Sequence, residues 1–318
     1  MRLIRCILAA LSLMFGASAV HAACTLSPNV AADLGSASSY TVRGGAVAQI
    51  ASAPALSCSG AVIGVLTTNY ARVSGTSGTG FKLRSSTGDD AIAYRLSADP
   101  GGAYPLNSGA TIDYFDPNLI SLLGFLGSSD FAARLHIGLL DMPNVAAGTY
   151  SDTVTLAWSW RICSGIGVGG ICIGYYEGTG SVALRITLVV TNDCRIAAPP
   201  VLFEAAPLAD RFRAVTQTAA VDCTKGARFA IAFSEGTGGS ARPWRTMSDG
   251  LGHHLRYNIF RSDGATIWDT TNPLPDARPG TGGTIPSLLQ TYVARIDPTQ
   301  PTPPPGIYRD TIVMTVSF

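Results

Sequence analysis

Charge is what this sequence has least of. Of its 318 residues only 14% are Asp, Glu, Lys or Arg, against roughly 25% in an ordinary soluble chain, and only Lys82 and Lys225 are lysines. That leaves no basic footprint for nucleic acid or an anionic membrane surface. Disorder is excluded from the other side: 47% of the residues are hydrophobic and the formal charge is +1, whereas disordered chains are apolar-poor and strongly charged. A sustained helical period is missing too. Beyond the first residues no run reaches 18 apolar positions, so no helical membrane span is present.

Chemistry-bearing patterns are equally scarce. There is no GxSxG elbow and no CxxC pair with a nearby His. Gly165–Gly170 satisfies GxGxxG literally, but it lies between two cysteines without a βαβ context and does not read as a dinucleotide site. His136 stands alone, His253 and His254 read as an exposed strand end, and Asp89-Asp90 reads as a turn rather than an acid–base pair. We therefore expect no enzyme, no cofactor and no metal.

What is present begins with an address. Arg2 and Arg5 precede the apolar run Ile7–Phe15, and Ala17–Ala22 supplies small residues at a cleavage site. Residues 1–22 thus read as a secretory signal cut after Ala22. A lipoprotein anchored at Cys24 is the competing reading, disfavoured by His21 where such a site wants an apolar residue. Without the signal the balance is 20 basic against 21 acidic residues, or −1. Six cysteines remain: Cys24, Cys58, Cys163, Cys172, Cys194 and Cys223. An even number in an oxidising compartment argues for disulfides. Fifteen pairings are possible; spacing suggests Cys24–Cys58, Cys163–Cys172 and Cys194–Cys223, the two longer loops each contributing roughly 3–4 kcal/mol.

The chain also repeats. Gly148-Thr-Tyr-Ser-Asp-Thr-Val154 recurs as Gly306-Ile-Tyr-Arg-Asp-Thr-Ile312, each preceded by an extended run with a central Tyr (Ala91–Ala98, Leu255–Ser262) and, earlier, by a cysteine pair. This is a duplication, with a first unit at 23–191 and a second at 192–318. Period-two alternation dominates both. Tyr150, Asp152, Val154, Leu156, Trp158 and Trp160 share one face, as do Tyr308, Asp310, Ile312, Met314, Val316 and Phe318. Val201–Phe203, Ala214–Cys223, Ala227–Ser234, Leu289–Ile296, Phe131–Leu140 and Ser181–Thr191 are further expected strands. Short strands between Gly/Pro turns predict an all-β fold of two β-sandwiches. Tyr150 and Tyr308 read either as corner-stapling tyrosines or as ordinary half-buried strand residues.

Cys194, Cys223 ending a strand, Leu255-x-Tyr257-Asn258, Trp268 and Pro305-Gly-x-Tyr-x-Asp-Thr311 together resemble the spore coat protein U domain family, which includes the subunits of Csu-type archaic chaperone–usher pili. The likeness is good over Cys194–Phe318 and weaker over Cys24–Thr191, where the Asn and Trp of the middle motif are missing. It implies immunoglobulin-like sandwiches, the C-terminal one incomplete and lacking its last strand. The sequence fits: the second unit ends at Phe318 inside its alternating strand, while Ser181–Thr191 can serve the first as its own last strand. Ile312, Met314, Val316 and Phe318 are then the expected donor-strand acceptor groove. Cys24 follows the proposed cleavage site after one residue, so this chain is expected to accept a strand and to donate none, as a tip adhesin would. The implied partners are a periplasmic pilus chaperone, an outer-membrane usher, the next pilus subunit donating a strand, and an abiotic or host surface, with the chain secreted through the periplasm to the pilus tip. A secreted coat or matrix protein of the same family is the rival reading.

Two apolar stretches are the expected contact loops. The first is the hairpin Cys163–Tyr176, with Ile166, Val168, Ile171, Ile173 and Tyr175 and no charge before Glu177. The second lies within Asn118–Gly127: Leu119, Ile120, Leu122, Leu123, Phe125 and Leu126. Uncharged exposed loops suit attachment to apolar surfaces; the alternatives are that Ile166, Val168, Ile171 and Ile173 fold back onto the sandwich and that Asn118–Gly127 is a short helix covering it. Ala61–Leu66 is a lesser candidate, read as a buried strand, and Asp113, Tyr114 and Asp116 are a weaker carbohydrate-type set.

Overall fold

Alternating side chains dictate a two-faced strand, and the chain uses them to wrap two separate cores. The computed structural model describes residues 23–318 apart from 62, 64–67, 107–108, 169–170 and 284–287. In the first sandwich the strands are β1 (Ala23–Leu26), β2 (Asn29–Ser38), β3 (Ile50–Ala51), β4 (Leu56–Ser59), β5 (Tyr70–Ser77), β6 (Lys82–Ser85), β7 (Ala91–Ser97), β8 (Thr111–Asp113), β9 (Asp130–Ala133), β10 (His136–Leu139), β11 (Gly148–Val168) and β12 (Ile171–Thr191). The second contains β13 (Cys194–Ala197), β14 (Val215–Cys223), β15 (Ala230–Phe233), β16 (Arg245–Ser248), β17 (His254–Arg261), β18 (Leu274–Pro275), β19 (Leu288–Ile296) and β20 (Met314–Ser317). The fold is all-β, as expected, with two short helices, α1 (Ser39–Arg43) and α2 (Pro117–Leu122).

In the first sandwich a small sheet, β1-β4-β9, faces a larger one ordered β2-β12-β11-β6-β7-β10-β3, to which β5 and β8 add. β11 and β12 form a long antiparallel hairpin, and β2 lies parallel to β12 on its other edge. Val154, Leu156 and Trp158 of β11 and Val182, Leu184, Ile186, Leu188 and Val190 of β12 are buried, one face of each strand. Trp158 stacks on Tyr114, centroids 5.7 Å apart. Gly178 lets β12 pass beneath the Trp160 indole, which a Cβ there would strike.

The second sandwich pairs a five-stranded sheet, β13-β14-β19-β17-β16, with β18-β15-β20. Trp268 sits at its centre, edge-on to Phe233 and Tyr292, its indole N–H donating to the Ile231 carbonyl at 2.7 Å. Only Asn192-Asp193 separates the sandwiches, and a polar seam joins them. Ser39 Oγ and Thr224 Oγ1 are 2.7 Å apart and buried. Tyr40 of α1 donates to the Asp222 carbonyl at 3.2 Å beneath the Arg195 guanidinium; burial, then the Asp222 charge, pushes its pKa up to about 12. Asn144 donates to the Thr281 carbonyl at 2.7 Å, and Lys225 pairs with Asp90 at 2.6 Å.

The three disulfides are Cys24–Cys58, Cys163–Cys172 and Cys194–Cys223, the pairs that spacing suggested. Some expected strands need correction. Phe131–Leu140 is two strands in different sheets, because Ser52 captures the bend: its N–H donates to the Leu135 carbonyl and its hydroxyl accepts from the Leu135 N–H. In the expected contact hairpin Cys163–Tyr176 the β11–β12 ladder continues, after a register shift between Cys163 and Ile166, as far as Val168 opposite Ile171. Val201–Phe203 enters no ladder, for a reason that the site itself supplies. The signal at residues 1–22 lies outside the described residues.

Candidate functional site: an open strand position and a distal pole

The two sandwiches share a set of equivalent bonds, and these fix which strand corresponds to which. Cys24 faces Cys58 directly across β1 and β4, as Cys194 faces Cys223 across β13 and β14. Tyr94 donates to the Asp152 carboxylate at 2.6 Å, and Tyr257 to Asp310 at 2.6 Å. The Tyr150 hydroxyl reaches back to the Ala146 carbonyl at 2.8 Å, and that of Tyr308 to Pro304 at 2.7 Å. Both tyrosines therefore staple a corner four residues upstream, a known device of sandwich folds. By this correspondence β20 and the residues leading into it are the counterpart of β11, and the stretch after β13 is the counterpart of β2.

In the first sandwich β12 fills the space between those two elements. In the second, no strand does so among the described residues. An open cleft of about 870 Å³ runs there instead, walled by Val201–Pro207 on one side and Thr302–Arg309 on the other. Leu202 and Ile307 stand 75% and 73% exposed on its walls. This explains why Val201–Phe203 is not a strand: the neighbour that would hydrogen-bond it has no counterpart here. Of the expected groove residues, Ile312, Met314 and Val316 are half-buried and pack on the second core. Phe318 is 60% exposed. They share the Tyr308 face of the strand but lie along its continuation and do not line the cleft.

At the other extreme, three segments of the first sandwich converge. The Gly127 N–H donates to the Ile63 carbonyl at 3.2 Å. Thr68 Oγ1 and the Tyr175 hydroxyl are 2.7 Å apart, and the Cys163 N–H donates to Asn69 Oδ1 at 2.8 Å. From Ile171 to Thr191 the chain runs about 65 Å at ~3.3 Å per residue, so this pole lies at the far end of β12 from the second sandwich.

The expected contact residues divide sharply there. Leu122 and Leu126 are exposed, at 59% and 41%. Leu119 and Ile120 are buried, a correction to their reading as surface residues. Asp116 caps α2 by accepting from the Asn118 and Leu119 N–H groups, Pro117 starts the helix, and one turn rotates Leu119 and Ile120 into the core. Leu123 and Phe125 are half-buried against that core, Phe125 meeting Phe131 at 5.2 Å. Tyr175 is half-buried with Arg161 stacked on its ring at 4.0 Å. The side chains of Ile166, Val168, Ile171 and Ile173 lie outside the described residues, as does most of Ala61–Leu66.

The remaining candidates hold the structure together. Asp113 pairs with Arg72 at 3.0 Å, Tyr114 is buried with its hydroxyl on the Arg134 carbonyl, and Asp116 is the helix cap. His253 bonds Asp249 at 2.6 Å, and burial lowers the pKa of His136. Among the described residues no three His, Cys, Asp or Glu side chains group as a metal site. One residue escaped sequence reasoning altogether: Arg245, fully buried. It donates to the Ser234, Phe233 and Trp268 carbonyls at 2.8, 3.3 and 3.0 Å and to Asn258, bracing β15 from behind. Its inward position in the alternation of β16 was the available signal.

Comparison with known proteins adds to this geometry. The model of the Spore Coat Protein U domain matches residues 10–157 and 181–315. The chain belongs to the spore coat protein U domain family. No curated protein matches it. Among solved structures, this family member is similar to a chain of the CsuC–CsuE chaperone–tip adhesion subunit pre-assembly complex from the archaic chaperone–usher Csu pili of Acinetobacter baumannii, with a TM-score of 0.63 at 18% identity over 93% of this chain and 100% of that one. The CooA pilin subunit from enterotoxigenic Escherichia coli also matches, with a TM-score of 0.31 at 13% identity over 54% of this chain and 99% of that one. At 18% identity the likeness to the Csu chain is one of fold.

Proposed function

We propose that this chain is a subunit of a chaperone–usher pilus and works at the tip as an adhesin that supports surface attachment and biofilm formation, with no enzymatic step. The observation that carries the reading is the open cleft between Val201–Pro207 and Thr302–Arg309, standing where β12 stands in the first sandwich. An exposed strand edge beside an apolar groove invites a strand from another chain. In this reading residues 1–22 are a cleaved signal, 23–191 an adhesin unit and 192–318 a pilin unit. A periplasmic chaperone caps the cleft, an outer-membrane usher exports the complex, and the next subunit inserts its strand between the walls.

The opposite pole then meets the surface. Among the described residues Leu122, Leu126 and Tyr176 are exposed large apolar side chains there. Burying ~300 Å² of such surface gains roughly 8 kcal/mol gross. Association costs offset much of that, and many pili per cell restore strength through avidity. Chemistry of this kind fits an abiotic or apolar host surface.

Periplasmic co-expression with a pilus chaperone tests the proposal. We expect a stable 1:1 complex from which an added donor-strand peptide displaces the chaperone, and assembled pili whose attachment to plastic falls at least fivefold on Leu122→Ser with Leu126→Ser. A chain that is monomeric, cooperatively folded and indifferent to chaperone and peptide would overturn the pilus reading. Undiminished attachment by the double variant would remove the distal pole from it.

A further inference from the structure

In both sandwiches the late strand changes partners partway along, and an aspartate sits at the handover. In the first, Tyr150 and Ser151 pair with β6, and from Val154 onward β11 pairs with β5. Asp152 lies between. In the second, Arg309 bridges Ser248 of β16, with both backbone bonds at 2.9 Å, and from Met314 onward β20 pairs with β15. Asp310 lies between, and its carboxylate is densely held. Oδ1 accepts from the Thr237 N–H at 2.7 Å, the Thr237 hydroxyl at 2.5 Å and the Thr311 N–H at 2.8 Å. Oδ2 accepts from the Tyr257 hydroxyl at 2.6 Å.

The turn that supplies Thr237 is shaped for this contact. Gly236 has φ +77, and a Cβ there would collide with the carboxylate; only glycine gives both freedoms at once. What differs between the sandwiches is the support on the other edge. β11 is also held by β12 across nearly its whole length, with Ile186 directly opposite Asp152. Among the described residues β20 is held on one side alone, over four residues of β15, extended by Ser234, whose N–H donates to the Val313 carbonyl at 2.8 Å and whose hydroxyl accepts from the Val313 N–H at 2.9 Å.

We propose that the Tyr257–Asp310–Thr237 cluster is a latch that fixes the open edge at Arg309–Val313 before any strand arrives, so that Asp310 is a positioning residue of the acceptor site. The inference rests on the acceptor reading above. The partner it fits is an extended segment with apolar residues at alternate positions, one of which covers Asp310 as Ile186 covers Asp152. That residue has no hydrogen bond to make, because the carboxylate is already satisfied. The incoming strand then adds to a preformed edge instead of having to organise one.

Amide hydrogen exchange on the full mature chain tests this, with a synthetic peptide of the Ser181–Thr191 sequence as the strand. Without peptide, the Arg309 and Val313 amides of the wild type should be protected. Tyr257→Phe should speed their exchange about tenfold, the factor expected for losing one hydrogen bond to a charged group, and slow peptide association by a similar factor, while β14 and β19 keep their protection. Asp310→Asn should do more. Tyr94→Phe, the same deletion where β12 holds the strand from its far side, should leave Ser151–Val154 nearly unchanged. Wild-type exchange and association in both second-sandwich variants would overturn the latch. A wild-type chain that takes up no peptide would instead overturn the acceptor reading, whatever the exchange shows. If Asp310→Asn does not fold, Tyr257→Phe alone decides.

Discussion

The two halves of this molecule are the same construction at two stages of completion. Each has a cystine joining two neighbouring strands of one sheet, a tyrosine–aspartate bond across the core and a tyrosine stapling the late corner. Yet the equivalent side chains fare differently. Val154, Leu156 and Trp158 are buried, whereas Ile312, Met314 and Val316 at the matching positions are half-exposed. Composition is not the cause, since both sets are apolar. The difference is β12, which covers one set and has no counterpart over the other among the described residues. A strand's burial is thus a property of its neighbours as much as of its own sequence, and on the function proposed above the apolar face of the second sandwich awaits a neighbour.

Supplying that neighbour is the strongest way to erase the contrast. Appending the sequence of Ser181–Thr191 to Phe318 through a short turn lets the strand fold back antiparallel to β20. It would cover Ile312, Met314 and Val316 with five alternating apolar side chains. We expect the unfolding transition of the second sandwich to rise by about 10–20 °C, at ~4 °C per kcal/mol for a domain this size, while that of the first stays put. Scanning calorimetry resolves the two transitions. An unmoved second transition would mean that the cleft does not accept a strand.

Truncation sharpens the same comparison at one residue. Leu156→Ala empties a buried site and should cost ~2–5 kcal/mol. Met314→Ala removes a half-exposed side chain and should cost only ~1 kcal/mol in the chain alone. With the strand supplied, the second cost should climb toward the first. Urea denaturation of both variants, with and without the appended strand, measures this; equal costs in the unmodified chain would contradict the exposed state of β20.

Much of this architecture was readable in the sequence, because its signals are local. Strict alternation marked Tyr150–Trp160 and Tyr308–Phe318, and cysteine spacing suggested the three disulfides. The repeated Gly-x-Tyr-x-Asp-Thr marked both corners without telling that Asp152 and Asp310 bond Tyr94 and Tyr257, since that pairing spans more than fifty residues. What escaped depended on neighbours or on length. α2 has six residues, too few for a helical period to decide between an exposed loop and a short covering helix, so the sequence alone groups Leu119 and Ile120 with the surface residues. Gly-rich Cys163–Tyr176 reads as a contact loop, although the ladder resumes at Ile166–Val168 opposite Ile171–Ile173. Arg245 is inward because backbone carbonyls and Asn258 receive it, which no propensity of arginine announces.

The smallest expected effect concerns the seam that makes the halves one body. Burial alone would raise the Asp90 carboxyl, but hydrogen bonds from Lys225 and the Ala146 N–H outweigh it, and its pKa lies below the ordinary value. A carboxylate whose pKa is depressed by folding stabilises fully above its unfolded pKa, and that contribution disappears as pH falls through the lower folded value. The Asp90–Lys225 bridge should therefore persist at neutral pH and fail only below the ordinary carboxylate range of about 4. Asp222 also faces the seam and holds the Thr281 and Gly283 N–H groups at 2.9 and 2.6 Å, so acid can act there as well. Lys225→Met separates the two, since it removes the bridge and leaves Asp222 untouched. Exchange of the Thr281–Gly283 amides, corrected for the intrinsic pH dependence, should rise modestly between pH 5 and 3 in the wild type. In Lys225→Met it should be faster already at pH 5 and respond less to acid. An identical acid response in both would assign the pH sensitivity to Asp222, leaving the bridge a solvated contact of the kind that contributes little.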